Sequence, residues 1–219
     1  MKIAVDVGGT FTDIVTIEND KIAVAKTPTT PHKISDGFLT ALELAGDSLV
    51  HVDELVHGTT VVLNALLTHV VPNTAVVTTG GFRDVLEIMR ADRKDLFDLH
   101  QSKPVPLVPR DHRLEIDERI ASDGKIVKPL KAEDIEDLIA NLKTLNVEAV
   151  AVCFLFAFVE PIHEIEIGNA IAAALPDIHV SLSHQVLPLY REYERTATTV
   201  VNAAAQLKLM NAANVVVMV

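Results

Sequence analysis

The chain has 219 residues, 49% of them hydrophobic and 22% charged, enough apolar material to bury a core and too little charge for a disordered chain. A formal net charge of −11 removes any general attraction to nucleic acid or to an anionic membrane surface. The longest apolar run, Ala149 to Val159, is shorter than the ~20 residues a membrane-spanning helix needs.

Taken in chain order, Lys2 to Val7 and Thr12 to Glu18 are β-rich runs joined by Gly8-Gly9-Thr10, and Asn19-Asp20 turns the chain into a third run, Ile22 to Lys26. That is an antiparallel meander. The N-terminus enters it directly, with no signal peptide expected. Apolar spacing predicts a helix over Ile34 to Ala45, then a strand at Glu54 to His57 and a helix from Val61 to Thr68 capped by Thr59-Thr60. Ala75 to Thr78 reads as a strand, and Phe82 to Met89 as a helix entered through Gly80-Gly81. The Pro- and charge-rich stretch Ala91 to Arg110 reads as a long connection and a candidate sub-boundary. Arg113 to Ile120 and Lys125 to Lys128 are predicted to form a hairpin around Asp123-Gly124. A helix over Ala132 to Leu145 carries Glu133 and Asp134 in its first turn, where the helix dipole favours them. Val147 to Phe158 reads as a strand buried on both faces. A helix over Pro161 to Leu175, a strand over Ile178 to Leu182 and a helix over Tyr190 to Leu209 complete an α/β pattern of βα units around a mixed sheet. Residues 1–203 are expected to form the domain, and 204–219, with Lys208 as their only charge, an apolar tail open to self-association.

The most informative segment is Asp6-Val7-Gly8-Gly9-Thr10-Phe11-Thr12-Asp13. Two glycines leave room for a phosphate to approach backbone N–H groups, and Thr10 and Thr12 add hydroxyls at alternate positions. Asp6 beside the turn is a hard oxygen ligand suited to Mg²⁺. The plain alternative is a type I′ hairpin, and the adjoining carboxylate and paired threonines weigh against it. No Walker loop and no dinucleotide fingerprint occurs. Cys153 sits in an apolar run, where a thiol behaves as a small hydrophobe; a lone cysteine fits a cytoplasmic home. The histidines lack metal-ligand spacing and read as structural.

This opening segment resembles the first phosphate motif of the actin/hexokinase superfamily. Three further stretches narrow the resemblance: His57-Gly58-Thr59-Thr60 with Asn64; Thr78-Thr79-Gly80-Gly81-Phe82-Arg83-Asp84; and Arg191-Glu192-Tyr193-Glu194-Arg195-Thr196. In this order the four blocks resemble the large-subunit type of the hydantoinase/5-oxoprolinase family, to which acetone-type carboxylases also belong. Each block has a bland reading as well: a capped helix, a local Arg83–Asp84 surface pair, and a solvated charged helix face.

The resemblance implies an actin-like, ribonuclease H-like ATPase lobe that uses ATP and Mg²⁺ to activate a small cyclic amide or ketone by phosphorylation. It implies that Asp6 holds the metal, that Gly8, Gly9, Thr10, Thr12 and Asp13 serve the phosphates, and that His57, Arg83 and Asp84 act on substrate. Thr59, Thr60 and Arg195 are implied at the substrate or a lobe interface. A second lobe, in a partner subunit, would complete the clamp. The competing expectations are a small-molecule kinase of the same superfamily and a non-catalytic interaction module.

Overall fold

The computed structural model describes residues 1–30, 34–44, 52–91, 95, 97, 98, 100 and 103–213. The expected helix end at Ala45, parts of the 91–110 connection and the last residues of the apolar tail lie outside that set. The chain divides into two compact units, Met1–Val70 with the residues from Lys208 onward, and Val71–Leu207.

In the first unit, β1 (Lys2–Val7), β2 (Phe11–Glu18) and β3 (Lys21–Pro28) form the predicted antiparallel meander. α1 (Ile34–Leu44) follows, then β4 (Glu54–Thr59), which pairs parallel with β1, and α2 (Val61–Leu67). The sheet order is β3-β2-β1-β4. Strict alternation in β1 decides which face is core: Ile3, Val5 and Val7 are buried while Lys2, Ala4 and Asp6 are exposed. Ile3, Val5, Val7, Ile14 and Ala41 form one apolar cluster.

In the second unit, β5 (Thr74–Thr79) leads through α3 (Val85–Ile88) to β6 (Arg113–Ile116). A small hairpin of β7 (Arg119–Ile120) and β8 (Ile126–Lys128) precedes α4 (Ala132–Leu145). β9 (Ala149–Cys153), α5 (Ile162–Ala174), β10 (His179–Leu182), the single turn α6 (Ser183–Val186) and α7 (Glu192–Ala213) follow. Here the sheet is wholly parallel, in the order β10-β9-β5-β6. Its two central strands, β5 and β9, are buried along their whole length, as a parallel sheet covered on both faces requires. The α/β reading holds, with the βα units closing a second sheet of their own.

Three local expectations change. The predicted strand to Phe158 stops at Cys153, because side chains take the backbone groups that would extend it. Phe154 N–H donates to Glu164, Leu155 N–H donates to Thr79, and Phe154 C=O accepts from Arg195. Phe156 then turns in the left-handed region at φ 57°. The predicted hairpin strand from Arg113 breaks at Asp117-Glu118, its first half joining the parallel sheet and its second half pairing with β8. The helix expected over Phe82 to Met89 shrinks to Val85–Ile88, after a turn in which Gly81 takes φ 87°, open to glycine at little cost.

Candidate functional site

The Asp6–Asp13 segment forms the β1–β2 connection, closed by a Gly8 N–H···O Phe11 hydrogen bond of 2.9 Å. Neither glycine has positive φ, so the turn is not type I′. Both are needed for close approach instead. A Cβ on Gly8 would stand 2.9 Å from the Phe11 carbonyl oxygen, and one on Gly9 would stand 2.6 Å from Asn64 Nδ2. The exposed tip leaves the N–H groups of Gly9 and Thr10 without an acceptor among the described residues.

The hydroxyls divide their work. Thr12 is fully buried, on the core face beside Val7, and its Oγ1 lies 3.1 Å from Thr29 Oγ1, which donates to the Gly8 carbonyl at 2.9 Å. Thr12 therefore braces the turn from below, while Thr10 is exposed at the tip. Cross-strand register lines up Lys26, Asp13, Asp6 and Gly58 across the exposed face. Asp13 meets Lys26 Nζ at 2.8 Å. Asp6 lies over Gly58, whose missing side chain leaves its carboxylate uncovered: a Cβ there would sit 3.5 Å from Asp6 Oδ1.

The β4–α2 junction comes to the same turn. Thr59 donates to the Val7 carbonyl at 3.2 Å and accepts from Val61 N–H at 3.2 Å, and Thr60 N–H donates to Val7 as well. Asn64 Nδ2 donates to Thr60 Oγ1 at 3.1 Å while touching Gly9. Thr59, one residue before the N-cap Thr60, thus takes the first helical N–H, while Thr60 makes no side-chain cap hydrogen bond and its hydroxyl instead accepts from Asn64, one helical turn on. His57 pairs in register with Val5, so it lies on the core face, opposite Asp6. Burial holds its imidazole below the usual value, and the Asp6 charge offsets part of that shift.

In the second unit Arg83 and Asp84 do not pair with each other. Asp84 takes a two-point clasp from Arg110, at 2.8 and 3.0 Å, and the Arg110 hydrogen bond holds its carboxyl below the usual range. Arg83 Nε lies 3.6 Å from Glu115, which also accepts the Gly81 N–H at 2.7 Å. Buried Arg113 donates to Glu87 and to the Val108 carbonyl. The alternative of a solvated face at the start of α7 holds only in part: Arg191, before the helix at φ 96°, and Glu192 are exposed and Glu194 pairs with Arg90 at the surface, while Arg195 is only 2% exposed. Among the described residues no group of three or more His, Cys, Asp or Glu has metal-binding geometry, and no helix is long and apolar enough to cross a membrane.

Cys153 is buried, and desolvation first, then the Glu164 charge, push its thiol up to about 12. A thiol-reactive dye at pH 8 is expected to leave Cys153 unmodified in the folded protein and to label it in urea. Rapid native labelling would contradict its burial.

Residues 2–175 match the hydantoinase/oxoprolinase N-terminal region family. An uncharacterized protein of Methanocaldococcus jannaschii is 38% identical over 92% of this chain and 30% of its own length. The acetophenone carboxylase gamma subunit of Aromatoleum aromaticum is 36% identical over 95% of this chain and 31% of its own. Among solved structures, the ATP-dependent caprolactamase of Pseudomonas jessenii superposes with a TM-score of 0.84 at 34% identity, covering 97% of this chain and 32% of that one. The chain spans about a third of the length of the relatives it matches.

Proposed function

The chain belongs to the hydantoinase/oxoprolinase family, and from that membership we propose that it is the nucleotide-binding portion of an ATP-dependent enzyme that activates a cyclic amide by phosphorylating its carbonyl oxygen. One observation carries the reading: an exposed glycine turn offers unpartnered N–H groups at Gly9 and Thr10, with the Asp6 carboxylate on one side and Thr60–Asn64 on the other.

This donor set fits a polyphosphate. Backbone N–H groups on a turn bind anionic oxygens without a net positive charge, which matters in a chain of net −11. Asp6 is placed to give one hard oxygen to Mg²⁺, and water and phosphate oxygens complete the shell such a small cation demands. Bound ATP supplies a phosphoryl group that turns an amide oxygen into a phosphate leaving group. The chain's own residues prepare for that chemistry. Thr12 and Thr29 hold the turn closed from beneath, Lys26 keeps Asp13 turned to its neighbour strand, and Asn64 fixes the Thr60 hydroxyl against the tip. His57, on the opposite face from Asp6, serves to seat β4 and takes no part in phosphate contact. Arg83 and Asp84 belong to the second unit and are proposed to serve the amide or the partner lobe. The other half of the clamp is proposed to come from sequence beyond these residues or from a second subunit; the Aromatoleum relative is itself named as one subunit of an enzyme.

Isothermal titration with Mg-ATP tests this. Asp6→Asn is expected to weaken binding about 10- to 100-fold, the loss of one charge-assisted interaction of roughly 1.5–3 kcal/mol, with an unchanged far-UV spectrum because Asp6 is exposed. Equal affinity in the two proteins would remove Asp6 from the site.

A further inference from the structure

The four-stranded parallel sheet of the second unit has a topological switch point between β5 and β9. From β5 the chain moves outward to β6; from β9 it moves outward on the other side to β10. Open parallel sheets bind ligands beyond the carboxyl ends of their strands at such a point. Here that place gathers the buried polar side chains Thr79, Glu118, His163, Glu164, Ser183 and Arg195.

The set is organised around Phe154 and Leu155, the two residues that follow β9. Leu155 N–H donates to Thr79 Oγ1 at 3.0 Å, and Thr79 donates in turn to Glu118. The other Glu118 oxygen meets His163 Nδ1 at 2.7 Å. Phe154 N–H donates to Glu164 Oε1 at 2.9 Å, which Ser183 also approaches at 2.5 Å. Glu164 Oε2 accepts from the His184 backbone N–H at 3.0 Å and lies 2.7 Å from His184 Nδ1. Phe154 C=O accepts from Arg195 Nη2 at 2.6 Å.

The balance of donors and acceptors is one-sided. Both oxygens of Glu118 and both of Glu164 already have donors. Arg195, 98% buried, has Nε and Nη1 with no acceptor among the described residues. A buried guanidinium left in that state is costly, and an ion or molecule that brings acceptor oxygens would offset the cost. The half-buried Phe158 ring covers the guanidinium at 5.2 Å, with exposed Tyr190 edge-on to it at 6.3 Å.

We infer that the carboxyl end of the second unit's sheet is a binding site for a small oxyanion, a carboxylate, bicarbonate or inorganic phosphate, clamped by Arg195 under Phe158. This site stands independently of nucleotide binding in the first unit.

The test is a titration of the isotope-labelled full chain with sodium phosphate, acetate and bicarbonate in separate arms, at constant ionic strength, following the Arg195 Nε–H and Phe158 ring resonances. A saturable shift at both, half-complete at or below about 10 mM in at least one arm, is the expected result, and the arm that saturates first names the oxyanion. Arg195→Lys should abolish the Phe158 shift. Should Arg195→Lys fail to fold, the wild-type titration decides alone. Flat titrations in all three arms, or shifts at surface lysines with Arg195 unmoved, would overturn the proposal.

Discussion

Glu164→Ala is expected to cost the second unit about 3–5 kcal/mol, the range for removing one side of a buried charged hydrogen-bond network. Glu164 is fully buried, and its two oxygens serve Phe154 N–H, the Ser183 hydroxyl, and both the backbone and the ring of His184. Alanine leaves the buried Phe154 N–H and Ser183 hydroxyl and the part-buried His184 groups without that acceptor, and removes volume from a fully buried position. Glu164→Gln keeps the volume but exchanges one accepting oxygen for a donating NH₂, which faces donors already in place. Its cost should be intermediate. Urea denaturation followed by far-UV circular dichroism measures both; a loss below about 1 kcal/mol for Glu164→Ala would mean that the network is dispensable.

The second large effect separates two adjacent glycines. Gly8→Ala places its Cβ against a backbone oxygen, Phe11 O, at 2.9 Å, in the same hydrogen bond that closes the turn. The strands on either side hold that oxygen in place, so the turn must open, at an expected cost of about 1–3 kcal/mol and with loss of nucleotide affinity. Gly9→Ala meets the Asn64 amide at 2.6 Å, the end of a side chain that can rotate. Its stability cost should be nearer about 1 kcal/mol, the Asn64–Thr60 hydrogen bond given up. Asn64→Ala should relieve Gly9→Ala, giving a coupling of at least about 0.5 kcal/mol in a double-mutant cycle, and should leave Gly8→Ala as damaging as before. Equal rescue of both would mean that the turn is gripped differently.

Much of the first unit was legible because its signals are local. Period-two alternation in Lys2–Val7, the glycine turn and the apolar spacing before Leu44 each depend on neighbours a few residues away. What the sequence hid is long-range. The end of β9 at Cys153 is set by Thr79, Glu164 and Arg195, which lie 76, 10 and 41 residues from their backbone partners. No window around Phe154 contains that information, and an apolar run reads as a strand until another segment claims its N–H groups. The same holds for the break at Glu118, whose carboxylate answers to Thr79 and His163, 39 and 45 residues away. Within the candidate site, residue types were readable but faces were not. Thr10 and Thr12 alternate as expected, yet register puts Thr12 under the sheet with Val7, and puts His57 beside Val5, away from Asp6. The Arg83–Asp84 pairing failed for a related reason: Arg110 and Glu115, brought in by the later β6 segment, are better partners than the sequence neighbour.

The central claim is that the Gly8–Thr10 turn receives a nucleotide's phosphates. Amide-resolved NMR of the full chain, titrated with ATP in the presence and absence of Mg²⁺, tests it most directly. The account predicts saturable, Mg²⁺-dependent shifts at Gly9 and Thr10, with smaller ones at Thr60 and Asn64, even if half a clamp holds ATP only at about millimolar affinity. Amides of Gly9 and Thr10 that stay in place up to about 10 mM Mg-ATP, or shifts confined to other segments, would contradict it.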